Sequence, residues 1–313
     1  MLDTGGSKTV YAVVFHSDGK HLLGGGDDGI RRWRLSDGLE VGRQTEMQLH
    51  AIHVSKDHKW VVCGTSNGAS VWDAEIDENV ITVEGGNTVW AVDVSPDSTR
   101  FATGTGKSEV SIWNITTGER LVGPLRHDEY VTGTKFSPNG EHIATTYFRG
   151  SIRIFDSRNG DKLTIIHTIT ANVAAITPLA WSSDGQRIFA TSNDDKIWSF
   201  DVSTGDSRFV ELEICDVGYS SIALAPNCKF IATFVEQFIS FLDTSTLARA
   251  RPDIADNKDI RSIAISQDNS YLATGQDGGK IVIRKLSQIL PDSYGPFHVS
   301  ICAFIVSACW TRD

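Results

Sequence analysis

The chain is poor in the features that announce chemistry. It has five cysteines in 313 residues, an odd number without a CxxC pair. That excludes a disulfide framework and a zinc site of the paired-cysteine kind. Cys63 and Cys228, in or beside strand-like runs, read as small core residues. No run reaches the ~20 apolar residues that span a bilayer. The start, Met1-Leu2-Asp3-Thr4-Gly5-Gly6, lacks the basic and then apolar stretch of a secretory signal. The expectation is a cytoplasmic protein, with the nucleus left open and no membrane partner. Basic residues are the minority, 29 against 39 acidic ones, for a net charge of −10. Such a balance disfavours phosphate-backbone affinity, so no nucleic-acid partner is expected.

Nucleotide and catalytic signatures are missing as well. No GxxxxGK[ST] occurs, and Gly24-Gly25-Gly26 opens no helix. The nine histidines are scattered; His50 and His53 are three apart, which on a strand sends them to opposite faces. Spacing assembles no nucleophile, base and orienting group. The chain therefore reads as a non-enzyme, with no catalytic residues, cofactor or metal.

What the chain does have is a repeat. Seven strand-like runs end in a small turn signature: Phe15-His16-Ser17-Asp18-Gly19, Val54-Ser55-Lys56-Asp57-His58, Val94-Ser95-Pro96-Asp97-Ser98, Phe136-Ser137-Pro138-Asn139-Gly140, Trp181-Ser182-Ser183-Asp184-Gly185, Leu224-Ala225-Pro226-Asn227-Cys228 and Ile265-Ser266-Gln267-Asp268-Asn269. From Asp18 to Asp268 the steps are 39, 40, 42, 45, 43 and 41 residues. A period near forty residues with several short strands per unit is the mark of a propeller. The fourth unit shows the grammar. Val131–Phe136, His142–Thr146, Ser151–Asp156 and Lys162–Ile165 read as strands, separated by turns at Ser137–Gly140, Arg149-Gly150 and Ser157–Gly160. The fold class expected is all-β, a seven-bladed β-propeller of four-stranded antiparallel blades. Its repeats start near 10, 49, 89, 131, 176, 219 and 260, in one domain over residues 1–290.

Two further positions recur. A large residue marks each third strand: Trp33, Trp72, Trp113, Phe155, Phe200 and Leu242, with Arg284 breaking the pattern. Small residues mark the second strands, as in Val62-Cys63-Gly64 and Ala102-Thr103-Gly104, where they let blades approach closely.

This grammar resembles the WD-repeat family. The residues that carry the likeness are Trp72-Asp73, the turn pairs Pro96-Asp97 and Pro138-Asn139, and the run from Ser111 to Gly118. The stretch Leu121–Val131 is similar to the inter-blade link of WD repeats in large regulatory ATPases of fungi and bacteria. The likeness covers residues 10–286. It implies a platform that binds a protein or peptide, acting as a scaffold or sensor module, and a monomeric domain is expected. The family's buried relay of His, Ser or Thr, Trp and turn Asp is incomplete: only His127 stands in the His position, with Arg149 where the turn Asp belongs.

Candidate contact residues follow from the propeller geometry. The residue after the first apolar position of each inner strand should face the channel mouth: Tyr11, His50, Trp90, Thr132, Thr177, Ser220 and Arg261. Several are types favoured in binding hot spots. The turn Tyr147-Phe148-Arg149 adds aromatics and a cation to the same face. A protein or peptide partner is the first expectation; a glycan or anion held at the channel mouth is the alternative. Ring closure is assigned to the tail, residues 291–313, with Phe297–Val306 as the outer strand; the alternative is that residues 287–313 are a poorly ordered end or a sequence foreign to the native domain. Residues 1–9 are poor in β-formers.

Overall fold

The computed structural model describes residues 2–3, 9–16, 18–27, 29–43, 48–75, 78–84, 86–148, 151–166, 179–191, 196–212 and 220–295. Seven four-stranded antiparallel sheets form the blades. Their inner strands are Val10–Phe15, Leu49–Val54, Val89–Val94, Val131–Phe136, Leu179–Trp181, Ser220–Leu224 and Ile260–Ile265. Within the first six blades the chain steps outward strand by strand, and 3-10 turns at Leu286–Gln288 and Asp292–Tyr294 follow the three strands of the seventh.

The turn after each inner strand explains the repeat. In the third blade, Ser95 Oγ bonds Asp97 Oδ1 at 2.5 Å, and the same carboxylate oxygen takes the backbone N–H of Thr99 at 3.1 Å. The chain then needs one left-handed residue. Gly19, His58, Ser98, Gly140, Gly185, Cys228 and Asn269 all have positive φ at this one position. Four copies therefore hold a side chain where glycine is the relaxed choice.

Burial is organised between blades. Each apolar cluster among the described residues straddles one blade junction. One joins Leu23 and Ile30 to Ile52 and Val61, and another joins Val13, Leu22 and Trp33 to Ala264, Ala273 and Ile281. No blade could bury these faces alone. The small residues of the second strands make the approach possible: a Cβ on Gly64 would stand 2.6 Å from the Val89 carbonyl of the next blade, and one on Gly104 would stand 2.5 Å from Val131.

The large third-strand residues are packed as the repeat predicts, with Trp33, Trp72, Phe155, Phe200 and Leu242 buried. Trp113 is only half-buried; it stacks on Phe101, and the Arg120 guanidinium covers its ring at 5.0 Å. Arg284 is not a gap in the pattern. It donates to Thr274 Oγ1 at 3.2 Å, as the Trp113 indole donates to Thr103 Oγ1 at 2.9 Å, and it also reaches Asp256 at 2.7 Å.

Two expectations are corrected. The outer strand of the seventh blade is Leu2–Asp3, paired to Ile281 and Lys280, so the N-terminal segment fills the place assigned to the tail. Two residues suffice because antiparallel pairing uses backbone groups, whatever the side chains. Phe297–Val306 lies outside the described residues. Cys228, read as a small core residue, is disulfide-bonded, and the partner lies outside the described residues. Cys63 is a free, buried thiol, its pKa raised by burial.

Candidate binding face

The face where the inner strands begin collects most of the predicted positions, and for a definite reason. The ladder shifts register between Val10 and Ala12, Leu49 and Ala51, Val89 and Ala91, Val131 and Gly133, and Ile260 and Ser262. The skipped residues are Tyr11, His50, Trp90, Thr132 and Arg261. Each is the extra residue of a β-bulge, which re-aims its side chain away from the ladder. Ser220 sits in an unbroken ladder opposite Val235, and its side chain lies outside the described set. Thr177 and Arg149 also lie outside the described residues.

Around the mouth these residues join one network. Arg261 forks onto Asp277, with Nε 2.9 Å from Oδ1 and a short Nη2 contact to Oδ2. Thr9 Oγ1 donates to Asp277 at 3.0 Å. The Tyr11 hydroxyl points to Asp27 at 3.5 Å, and Gln48 donates to the same carboxylate at 3.1 Å. Ser66 then links Gln48 to His50, at 3.3 and 3.1 Å. The His50 ring meets Trp90 at 4.4 Å between centroids and Tyr11 at 6.5 Å. Burial raises the Tyr11 pKa and pulls His50 down to about 4.

Exposure separates the members. Tyr11 and His50 are buried, while Trp90 is half-buried. Thr132 is buried with its hydroxyl 3.2 Å from that of Thr146. Tyr147 is a correction to the expected aromatic cluster: it is buried, edge-on to His127 at 5.4 Å and under Arg153 at 4.7 Å. It ends a strand beside His127, so the blade's interior claims it. Phe148 is half-buried and stacks on Tyr130 at 4.5 Å.

Sequence reading passed over a second polar group deeper in the ring. His53, Asp93 and Lys135 hold the next-to-last place of three successive inner strands, where other blades have Val14, Ala180, Ala223 and Ala264. Lys135 Nζ lies 2.5 Å from Asp93 Oδ1 and 3.2 Å from His53 Nε2. Asp93 Oδ2 takes the Phe136 N–H at 2.7 Å, and His53 Nδ1 takes the Val94 N–H at 3.3 Å. All three are buried. Their departure from the small or β-branched residues at that place was the available signal.

The expected relay is split. His127 Nε2 lies 2.8 Å from Thr145 Oγ1 but faces Phe155, whereas Trp113 bonds Thr103 without a histidine. Among the described residues no helix is long and apolar enough to cross a membrane.

Comparison with known proteins agrees with this architecture. The family description "WD domain, G-beta repeat" matches residues 2–34, 78–114, 120–156 and 254–283. Eukaryotic translation initiation factor 3 subunit I of Aspergillus terreus is 28% identical over 243 residues, covering 71% of this chain and 67% of that one. The subunit of the same name from Saccharomyces cerevisiae is 27% identical over 202 residues, 59% of this chain and 58% of that one. Human apoptotic protease-activating factor 1 is 26% identical over 214 residues, 64% of this chain but 16% of that one. The chain thus spans about three fifths to two thirds of the initiation-factor subunits it matches. With seven four-stranded blades and repeat matches at both ends and in the middle, the chain is a WD-repeat β-propeller.

Proposed function

We propose that this propeller is a non-catalytic scaffold that binds a protein or peptide across the face where its inner strands begin. The observation that carries the reading is the bulge array, in which the half-buried Trp90 ring is released from the ladder and backed by the buried His50 and Tyr11 rings. Aromatic anchors of this kind supply most of an interface's energy. The initiation-factor relatives are named as subunits, so the fitting setting is a cytoplasmic multiprotein assembly of translation initiation. The non-catalytic part rests on the WD-repeat match and on relatives named as initiation-factor subunits. Burial also lowers His50 to about 4, which makes it a weak base beside Ser66 at neutral pH.

The test is a photo-crosslinking residue at position 90, with position 209 on the outer wall as the control, followed by mass spectrometry of the adducts. Reproducible protein adducts from position 90, competed by unlabelled propeller, are expected. Adducts confined to position 209 would move the binding site to the blade sides.

A further inference from the structure

At the opposite end of the first blade, the turn after the inner strand departs from its siblings. In the other copies the residue opening this turn is Ser55, Ser95, Ser137, Ser182, Ala225 or Ser266, and the residue that closes it is Trp60, Arg100, His142, Arg187, Phe230 or Tyr271. The serines bond the turn Asp or Asn at 2.5–2.7 Å. The first blade alone places imidazoles at both points, His16 and His21, around Asp18.

The three side chains converge. Asp18 Oδ2 lies 3.2 Å from His16 Nδ1 and 2.5 Å from His21 Nδ1, and one ligand atom from each residue lies within 4.8 Å of the others. Asp18 Oδ1 is occupied by the backbone N–H groups of Lys20, at 2.7 Å, and His21, at 3.0 Å. Oδ2 is thereby aimed at the imidazoles, as outer-shell bonds aim a ligating carboxylate. The Asp18 N–H donates to His16 Nδ1 at 3.3 Å, which makes Nδ1 the lone-pair nitrogen. Nε2 is buried and without a hydrogen-bond partner. Two acceptors, Nδ1 and Oδ2, then face each other at 3.2 Å. A cation between them turns that opposition into ligation.

We propose that His16, Asp18 and His21 bind one divalent first-row transition ion of the zinc type, with a fourth position left to water. Two imidazoles and one carboxylate suit zinc, cobalt, nickel or copper, whereas magnesium and calcium take oxygen sets. A tetrahedral ion with bonds of about 2.0–2.2 Å keeps its ligand atoms about 3.3–3.6 Å apart. The His16–Asp18 pair is already close to that spacing, and His21 has to withdraw by about 1 Å. The His16 bond from the Asp18 N–H is given up on binding.

The experiment is calorimetric titration of the chelator-treated full chain with zinc chloride, with cobalt(II) absorption as a second readout. His16→Ser installs the residue of five sibling turns, and His21→Arg installs that of two, so both variants should keep a wild-type circular dichroism spectrum. The expected result is one ion per chain, no heat with magnesium, and at least about a tenfold affinity loss in either variant. Absence of zinc uptake by the wild type would overturn the proposal. So would equal uptake by the folded His16→Ser/His21→Arg double variant. If that variant does not fold, Asp18→Asn decides: unchanged affinity overturns the site, and a tenfold loss supports it.

Discussion

The Trp90 indole and the His50 imidazole meet at 4.4 Å across the boundary between the second and third blades. Neither belongs to the hydrogen-bonded ladder, since each is the extra residue of a bulge. Trp90→Ala should therefore cost little stability, near the ~0.5 kcal/mol of ordinary surface changes, up to about 1 kcal/mol with the lost ring contact. It should weaken partner capture by about 2 kcal/mol or more. Arg261→Ala is a different case, because it removes a forked ion pair from Asp277 and leaves that carboxylate with the Thr9 hydroxyl. Thermal melts alongside crosslinking yields separate the two. A large loss of stability in Trp90→Ala would make the indole a structural plug.

The buried trio of Lys135, Asp93 and His53 should behave as one unit. Asp93→Ala leaves the Lys135 ammonium buried and uncompensated, a change worth about 3–5 kcal/mol. Adding Lys135→Met to it should recover most of that loss. Chemical denaturation of both single variants and the double gives the coupling; additive losses would show that the groups act separately.

Acid should destabilise the ring through its buried histidines. His127 and His50 are both lowered to about 4 by burial, so their native forms stay neutral while unfolded chains take up protons near 6.5. Their contribution is intact above the unfolded value and is lost as pH falls from about 6.5 towards about 4. The His127 Nδ1–H donates to the Leu125 carbonyl, so the neutral Nε2 accepts from Thr145; protonation reverses that bond, turns the Thr145 hydroxyl to the Arg153 carbonyl and places a charge in a buried site. The melting temperature should drop across that window, and less steeply in His127→Gln. Parallel curves for the two proteins would assign the drop to other groups.

The left-handed turn position offers a gain. His58 is exposed at φ 74° where three sibling turns have glycine. His58→Gly should stabilise by about 0.5–1 kcal/mol, the relief of left-handed strain less glycine's entropy cost. Denaturant midpoints measure it, and a loss would mean that the side chain makes a contact worth more than the strain.

Closure also has a direct test. Removing residues 1–8 bares the Lys280–Lys285 strand. The truncated protein should melt lower and associate through that edge. Removing residues 296–313 should spare the pairing. The reverse pattern, read by light scattering, would return the closing role to the tail.

The sequence displays its period because every blade needs the same turn and the same wedge residues, from Asp18 to Asp268 and from Trp33 to Leu242. Closure stayed hidden because a two-residue strand, Leu2-Asp3, is too short to show an alternation in the sequence. Counting from each inner strand picks out five residues that prove to be bulged, but the bulges themselves were not legible, since they leave no residue signature here. Tyr147 misled because a strand end has two sides, and His127, twenty residues earlier, decides which one it faces.

The bulges carry a consequence for how such a protein diversifies. A residue outside the ladder can be exchanged without shifting the register of its strand or the wedge behind it. Tyr11, His50, Trp90, Thr132 and Arg261 already span aromatic, basic and hydroxyl chemistry on one backbone geometry. If the proposed face is the binding face, its bulges form a row of interchangeable sockets, where recognition could be rewritten while the scaffold is inherited unchanged.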